Sequence, residues 1–295
     1  MKQILIADSG STKTDWALVQ GEGCMMQGEG LLLKTQGINP FHMDEQTISG
    51  ILENELKPQL SSLHPAPSTL HQSPLNRINF YCSGVRPELE EKMVRLLKAA
   101  FPEAEHVEAH SDLLGAARAL CGHQEGIACI LGTGANTCLY NGREIVMNTP
   151  ALGYILGDEG SGANLGIRFL NSLYKNQLPK EVKEEFERQG FALNDIIDRV
   201  YRQPMANRFL ASLSPFIHSH LDVPEVSALV EESFHQFMVK NIVPYGRNDL
   251  PVSAVGSVAF FYKEQLRKAV EKEGYTLGRV MRSPIEGLVE MEQLG

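Results

Sequence analysis

Residues 3–19 read QILIADSGSTKTDWALV, and this stretch decides the predicted fold. An apolar strand over 3–7 ends in Asp8, and a second apolar segment over 16–19 follows a turn of small polar residues. Such a turn exposes several backbone N–H groups in one direction, and its small side chains let an oxyanion approach closely. The stretch therefore predicts a phosphate-binding turn between two strands, in which Lys13 pairs with phosphate oxygens and Asp8 serves Mg²⁺ through its water shell.

Two further turns of small residues favour this interpretation over a plain hairpin with a solvated tip. The turn GTGAN at 132–136 follows the apolar run 127–131 and precedes a strand over 137–140, so the opening theme recurs as a faint internal duplication. The pair Gly256-Ser257 follows another predicted strand at 252–255. The chain has neither a G-x-x-x-x-G-K-[ST] nor a G-x-G-x-x-G motif, which argues against a P-loop or Rossmann site.

The rest of the pattern alternates between strands and helices, which is typical of an α/β fold. A strand over 77–82, an amphipathic helix over 88–100 and a strand over 105–109 predict a parallel crossover. A third strand of the opening meander is expected near 24–26, and a long helical stretch is predicted further along, between the two later glycine turns.

Length and composition limit the class of protein. A chain of 295 residues exceeds the size at which one hydrophobic core keeps growing, which favours two domains. Because no apolar stretch approaches the roughly twenty residues that span a bilayer, we expect a cytoplasmic protein with no membrane partner. A net charge of −9 without a Lys/Arg cluster argues against a nucleic-acid partner. The five cysteines form no C-x-x-C pair, and His218 and His220 lack a third metal ligand, so neither set predicts a metal site.

Two aspartates are placed where they could act on a hydroxyl group. Asp112 follows a strand end and opens an apolar helix over 113–121, so it can cap that helix or accept the proton of a substrate hydroxyl, and the two roles are compatible. Asp158 lies in GDEGSG at 157–162, ahead of a helix that begins near Asn164. This segment can cap the helix or present Asp158 to sugar hydroxyls.

Six motifs occur in a defined order along the chain: LIADSGSTKTDWALV at 5–19, CSG at 82–84, HSDLLGAARAL at 110–120, ILGTGANTCLY at 130–140, GDEGSGANLG at 157–166 and AVGSVAFF at 254–261. Together they resemble the N-acetylglucosamine kinase-like branch of the BadF/BadG/BcrA/BcrD ATPase family. The resemblance covers nearly the whole chain, and the combination is far more specific than any one motif.

The resemblance implies an α/β fold of two duplicated actin-like (ribonuclease H-like) lobes with an interlobe nucleotide cleft. It implies an N-terminal lobe over 1–112 on the sugar and phosphate side, a C-terminal lobe over 113–280 with a helical insertion on the nucleotide side, and a terminal helix over 281–295 that packs back on the first lobe. The implied activity is ATP-dependent phosphorylation of the 6-hydroxyl of an N-acetylhexosamine such as N-acetylglucosamine. ATP and Mg²⁺ are the implied cofactors, and a small amino sugar is the implied partner.

The same resemblance implies roles for individual residues. Asp112 would be the general base, and Asp8 would lie near Mg²⁺. The implied ATP-binding residues are Ser9, Gly10, Ser11, Thr12, Lys13, Gly132, Thr133, Gly134, Gly256 and Ser257. The implied sugar-binding residues are Asn39, Ser83, Gly84, Asn136, Gly157 and Asp158.

The sequence leaves some alternatives open. Eukaryotic N-acetylglucosamine kinases carry a tryptophan ahead of the GDEG motif where this chain has Leu152, so the identity of the sugar is open. Two other functions are a family ATPase that activates a second enzyme and a catalytically silent regulator that binds sugar and nucleotide. Monomer and homodimer are both open.

Overall fold

A computed structural model describes residues 3–10, 12–20, 32–62, 75–84 and 87–294. The chain divides into two compact units. The first comprises Met1–Gly122 together with Pro284–Gly295, and the second comprises His123–Ser283.

Within the described residues the chain forms ten strands and fourteen α-helices. In chain order, the strands are β1 (Gln3–Ser9), β2 (Lys13–Gln20), β3 (Leu32–Gln36), β4 (Leu75–Cys82), β5 (His106–Ser111), β6 (Glu125–Leu131), β7 (Ala135–Asn141), β8 (Ile145–Met147), β9 (Pro251–Val255) and β10 (Thr276–Met281). The helices are α1 (Glu45–Ile51), α2 (Lys57–Ser62), α3 (Pro87–Ala100), α4 (Asp112–Cys121), α5 (Gly153–Leu156), α6 (Gly162–Tyr174), α7 (Lys180–Arg188), α8 (Leu193–Tyr201), α9 (Ala206–Ala211), α10 (Ser214–Ser219), α11 (Pro224–Phe237), α12 (Ser257–Phe261), α13 (Lys263–Lys272) and α14 (Ile285–Leu294). Turns of π-helix at Leu52–Leu56 and Met238–Ile242 extend α1 and α11.

The first unit is built on a mixed sheet with the strand order β3-β2-β1-β4-β5. Strand β2 pairs antiparallel with β1 and β3, whereas β4 pairs parallel with β1 and β5. Successive side chains of a strand point to opposite faces of the sheet. Leu5, Trp16 and Phe80 therefore share a buried cluster with α1 and α3, while Ile6 and Tyr81 pack on the other face against α4 and α14.

The second unit repeats this arrangement. Its sheet has the order β10-β9-β6-β7-β8, with β7 antiparallel to β6 and β8, and β9 parallel to β6 and β10. Read from the opposite edge, the order matches that of the first unit strand for strand. The predicted α/β fold with an internal duplication is confirmed. Helices α6 to α11 lie between β8 and β9, and the rings of Phe169, Phe186 and Phe216 pack there with centroids 5.2–5.6 Å apart.

Two details of the structure differ from the sequence prediction. The first unit extends to Gly122 and not to Asp112, because α4 packs on the first sheet and shares a buried cluster with it through Ala119. The third meander strand is β3 at Leu32–Gln36, and the predicted strand at 24–26 lies outside the described residues. Among the helices that the structure describes, none is long and apolar enough to cross a membrane.

The C-terminal helix α14 is fixed to the first sheet by a polar contact as well as by apolar packing. The buried Asn79 side chain donates from Nδ2 to Glu292 Oε1 at 2.7 Å, and Arg77 Nη1 lies 3.6 Å from Glu292 Oε2. A buried amide that loses its partner costs about 1–3 kcal/mol. The side chain of Glu292 therefore anchors the end of this helix.

We expect Glu292→Ala to lower the free energy of unfolding of the first unit by about 1–3 kcal/mol, since the Asn79 amide loses its acceptor. The single tryptophan, Trp16, is fully buried in the first unit, so its fluorescence during urea unfolding reports on that unit. Glu286→Ala, on an exposed position of the same helix, is the control and should change stability by only a few tenths of a kcal/mol. Equal effects of the two substitutions would contradict the anchoring role.

Candidate active site

Three carboxylates gather at one edge of the first sheet. Asp8 lies near the end of β1, and the strand register places Asp15 of β2 directly opposite it. Asp112 is the first residue of α4, where β5 ends. Burial, followed by the negative charges of Asp112 and Asp15, raises the pKa of Asp8 to about 7, while the ammonium of Lys13 acts in the opposite direction. The three side chains therefore form one electrostatically coupled group.

Lys13 supplies a positive charge to this group. Its Nζ atom lies 2.5 Å from Oδ2 of Asp15, and the lysine side chain is 57% exposed while that of Asp15 is 9% exposed. The Oδ1 atom of Asp15 is buried and has no hydrogen-bond partner among the described residues. One ammonium beside three carboxylates leaves an excess of negative charge, which a further cation would neutralise.

This edge fits Mg²⁺ by the chemistry of its donors. Mg²⁺ prefers oxygen ligands, retains several waters and is usually held by one or two carboxylates together with substrate phosphates. No group of three His, Cys, Asp or Glu side chains within the described ranges could hold a metal ion on its own. An open site of carboxylates that awaits phosphate oxygens is consistent with both observations.

Asp112 is oriented by the start of α4. Ser111, and not Asp112, caps this helix, since its Oγ atom accepts from the N–H of Leu114 at 3.3 Å. Oδ1 of Asp112 accepts from the N–H of Leu113 at 2.9 Å. Burial raises the pKa of Asp112, and the backbone N–H groups of the first turn oppose that rise. The carboxylate is thus fixed in direction and more basic than an exposed aspartate.

Ser9 has a structural role that the sequence did not reveal. Its hydroxyl is fully buried, where Oγ lies 2.7 Å from Thr14 Oγ1 and 2.9 Å from both the N–H and the carbonyl oxygen of Ile38. The hydroxyl is thus fully engaged by groups of the first unit, and the contact of Ser9 with ATP stays a prediction. Ser9 ties the segment that leads to Asn39 against the first turn.

The predicted sugar-binding residues of the first unit lie beside this turn. The N–H of Ser83 donates to the carbonyl oxygen of Ser9 at 3.2 Å. A Cβ atom on Gly84, which has a φ of +83°, would lie 2.3 Å from Oδ1 of Asn39, so only glycine permits this approach. The Oγ atom of Ser83 is buried without a hydrogen-bond partner in the described part of the chain. The structure therefore brings Asn39, Ser83 and Gly84 together with the end of β1.

The remaining residues of the first turn are placed by backbone contacts. The N–H of Gly10 donates to the carbonyl oxygen of Lys13 at 3.0 Å, and the carbonyl oxygen of Thr12 accepts from the N–H of Gly37 at 3.1 Å. Ser11 lies outside the described residues. The turn is held against the strand end of β3 through Gly37.

The two glycine turns of the second unit lie against each other. Gly256 has a φ of +122°, and a Cβ atom there would lie 2.3 Å from the carbonyl oxygen of Leu131 and 3.3 Å from the nitrogen of Gly132. The carbonyl oxygens of Gly132 and Thr133 accept from the N–H groups of Gly162 and Ala163 at 2.8 and 3.1 Å, at the start of α6. These two hydrogen bonds hold the backbone of the Gly132–Thr133 turn against the start of α6.

A cavity of about 500 Å³ adjoins these turns within the second unit. Gly132, Thr133 and Ser257 line it on the side of the glycine turns. The other lining residues come from the helical segments and are Arg208, Ala211, Ser212, Ser214, Pro215, His218, Val258, Phe261 and Tyr262. The volume falls in the range of small-molecule pockets, and the lining combines aromatic and aliphatic side chains with several hydroxyl groups, a guanidinium and an imidazole.

Sequence reasoning missed most of this lining. The sequence alone favours a solvated or hydrogen-bonded His218. The structure agrees, because its Nε2 atom lies 3.1 Å from the carbonyl oxygen of Phe261, and the same residue lines the cavity. A carbonyl oxygen can only accept, so Nε2 carries the proton. No motif includes Arg208 or His218, and only the packing of α9, α10 and α12 brings them together with Phe261.

Gly157 and Asp158 lie beside the turn at Gly132–Gly134. Oδ2 of Asp158 would be 2.9 Å from a Cβ atom on Gly134, and a Cβ atom on Gly157 would lie 2.2 Å from the carbonyl oxygen of Ala151. Asp158 is almost fully buried, and this burial raises its pKa to about 6. These two residues, which are predicted to bind sugar, thus lie next to the glycine turn of the second unit.

Asn136 follows the same turn on β7. Its Oδ1 atom accepts from Nδ2 of Asn148 at 3.0 Å and from the N–H of Thr137 at 3.0 Å. These two donors fix the direction of the amide group. The Nδ2 atom of Asn136 therefore points away from Asn148 and from the N–H of Thr137.

The sheet order and the glycine turns at the strand ends define the class of protein as an actin-like α/β fold, which sugar kinases share. A ROK hexokinase from Thermus thermophilus has this fold, with a TM-score of 0.51 and 15% identity over 99% of this chain and 97% of that one. A Chromobacterium violaceum protein, named as a candidate N-acetylglucosamine kinase, also has it, with a TM-score of 0.64 and 18% identity over 99% of each chain.

A nearer relative shows the family. A candidate N-acetylglucosamine kinase from Porphyromonas gingivalis is 46% identical over 99% of each chain, with a TM-score of 0.88. This chain belongs to the N-acetylglucosamine kinase-like family of actin-like sugar kinases, as the six motifs indicate. Comparisons with family models and with curated protein sequences found no match.

Asp158 gives a pH dependence that can be measured. Its pKa in the folded chain is about 6, against an ordinary value of 3.8, so the ionised carboxylate destabilises the folded state. This destabilisation is absent below about pH 4 and complete above about pH 6. We expect Asp158→Asn to raise the melting temperature relative to the unsubstituted chain more at high pH than near pH 4.

Asparagine suits this test because it tolerates the left-handed φ of +54° that Asp158 adopts. Melting temperatures followed by circular dichroism at several pH values provide the measurement, and the difference between variant and unsubstituted chain cancels the titration of other groups. A difference that does not change between pH 4 and pH 8 would show that the Asp158 carboxyl has an ordinary pKa.

Proposed function

We propose that this chain is an ATP-dependent sugar kinase that phosphorylates the 6-hydroxyl of an N-acetylhexosamine, with N-acetylglucosamine as the first candidate. The observation that carries the proposal is the position of Asp112, an oriented carboxylate at the sheet edge that also holds Asp8, Lys13, Asn39 and Ser83. The family membership and the name of the Porphyromonas relative support the same assignment.

In this proposal Asp112 is the general base. The sugar hydroxyl gives its proton to the Asp112 carboxylate, its oxygen forms a bond to the γ-phosphorus, and the bond from that phosphorus to the β,γ-bridging oxygen breaks to release ADP. A raised pKa makes the carboxylate a better proton acceptor, and the N–H of Leu113 keeps one oxygen fixed. Catalysis then rests on positioning and on charge stabilisation.

The other residues of the first unit hold the reactants. Lys13 and the backbone N–H groups of the turn after β1 contact the β- and γ-phosphates. The unpartnered hydroxyl of Ser83 and the side chain of Asn39 contact sugar hydroxyls, since a buried polar atom without a partner is costly until a ligand pairs with it. Mg²⁺, when bound near Asp8, neutralises phosphate charge.

The second unit contributes the nucleotide pocket in this proposal. The turns at Gly132–Gly134 and Gly256–Ser257 contact phosphate and ribose, and the cavity beyond them receives the adenine base. Its size and its aromatic lining suit a purine, with Phe261 and Tyr262 as apolar walls. Asn136, Gly157 and Asp158, which adjoin the Gly132–Gly134 turn, are assigned to the sugar.

A coupled assay of ADP release tests the function. The panel contains N-acetylglucosamine, N-acetylmuramic acid, N-acetylmannosamine, glucose and a reaction without sugar. We expect release that depends on an N-acetylhexosamine, with N-acetylglucosamine giving the highest kcat/KM. Release that is equally fast without sugar would favour the activator ATPase, and binding of sugar and ATP without release would favour the silent regulator.

The role of Asp112 gives a second prediction. Asp112→Asn should lower kcat by about two to four orders of magnitude, because the variant keeps the shape of the side chain and loses the proton acceptor. Binding of ADP and of sugar, measured by calorimetry, should stay within a few-fold. Asp195→Asn, an exposed position on α8, is the control. Near-normal turnover in Asp112→Asn would remove Asp112 from the role of base.

A further inference from the structure

Asp15 is a buried carboxylate that lacks sufficient partners. Its side chain is 9% exposed, and Oδ2 is paired with Nζ of Lys13 at 2.5 Å. Oδ1 is buried and has no hydrogen-bond partner within the described residues. Leaving a charged oxygen buried and unpaired is costly, so such an atom in a folded protein needs a physical reason.

The strand register directs this carboxylate toward Asp8. The two residues are directly opposite in the antiparallel pair of β1 and β2, so their side chains project from the same face with Cβ atoms about 4.5–5.5 Å apart. That face is the one covered by α4, which begins with Asp112. Like charges directly opposite each other destabilise a sheet unless a cation lies between them.

The lysines near Asp15 do not remove this charge excess. Lys13 binds Oδ2 and leaves Oδ1 unpaired. Lys34 is directly opposite Asp15 on β3, but it is exposed, and the ion pair that the structure gives Asp15 comes from Lys13. A purely structural ion pair would account for one oxygen of Asp15 and not for the other.

We propose that Asp8 and Asp15 together form the binding site of the divalent cation, with Oδ1 of Asp15 as a ligand that the family resemblance does not assign. The inference rests on the proposed function, because phosphoryl transfer from ATP requires that cation. Two carboxylates on adjacent strands match the way Mg²⁺ is held, by one or two carboxylates while waters and phosphate oxygens complete the shell. Lys13 serves as the counter-ion of Asp15 until the cation is bound.

The test measures binding of Mn²⁺ alone, through the electron paramagnetic resonance signal of the free ion, and needs no turnover. We expect Asp15→Asn and Asp8→Asn each to weaken Mn²⁺ binding by about 10- to 100-fold. Lys13→Met should bind Mn²⁺ at least as tightly as the unsubstituted chain, because a competing positive charge is lost. Glu53→Gln, which removes an exposed carboxylate of the same unit, should leave the affinity unchanged.

The outcomes separate this inference from its rivals. If Asp15 only anchors Lys13, Asp15→Asn leaves Mn²⁺ affinity unchanged, and the proposal is overturned. Asp15→Glu keeps the charge and should retain more of the affinity than Asp15→Asn, and the fluorescence of Trp16 confirms that each variant is folded. If the unsubstituted chain releases ADP in a sugar-dependent way and Asp15→Asn binds Mn²⁺ normally, the proposed cation site is rejected and the proposed function is not. The converse result, lost Mn²⁺ binding in a chain that phosphorylates no sugar, would reject the function alone.

Discussion

The register between β1 and β2 is the constraint on which the first unit depends. It places Asp8 opposite Asp15 on one face of the sheet and Ser9 opposite Thr14 on the other. A slip of one residue would move each side chain to the opposite face, with the hydroxyls on the side of α4 and the carboxylates in the apolar cluster of Leu5 and Trp16. The bond from Ser9 to Ile38 resists such a slip, since Oγ both accepts from and donates to that residue's backbone. One strand pair thus provides a neutral anchor on one face and a charged edge on the other.

The second unit uses the same topology with different chemistry. The residue pair that corresponds to Asp8 and Asp15 is Ile130 and Asn136, again opposite each other on an antiparallel strand pair. No carboxylate pair is present at that position, and the turn is held by carbonyl contacts to α6. The duplicated sheet therefore has a pair of carboxylates at this position in the first unit and a pair of uncharged side chains at the corresponding position in the second.

The parts of the site that could be predicted from sequence are local ones. Small residues clustered at strand ends expose backbone N–H groups, so the three turns and Asp112 are recognisable from their neighbours along the chain. The roles that depend on distant residues were not found. The hydroxyl of Ser9, for example, is bonded to Ile38, 29 positions away. Ser111 and Asp112 are equally good caps in isolation, and only the end of β5 decides between them.

The cavity of the second unit shows the same limit at a larger scale. Arg208, His218 and Phe261 belong to three separate helices, and no spacing along the sequence relates them. In β3 the buried Leu33 and Thr35 alternate with exposed residues, a pattern typical of an edge strand. The fold class was predictable because it follows from repeated local patterns, whereas the pocket results from how the helices pack.

A buried polar atom without a hydrogen-bond partner indicates a candidate site in the first unit only if it also lies near the strand ends that hold Asp8. Asn79, Ser83 and Asp15 each have one buried oxygen without a described partner. Asn79 lies in the middle of β4 and donates to Glu292, so its unpaired oxygen is a small cost of fixing α14. Ser83 and Asp15 instead lie near the strand ends around Asp8. The unpaired atoms Ser83 Oγ and Asp15 Oδ1 lie at the same edge as the oriented carboxylate of Asp112. In the proposed function the first would bind a sugar hydroxyl and the second a cation. Polar groups that are oriented before the reactants bind lower the reorganisation that catalysis requires.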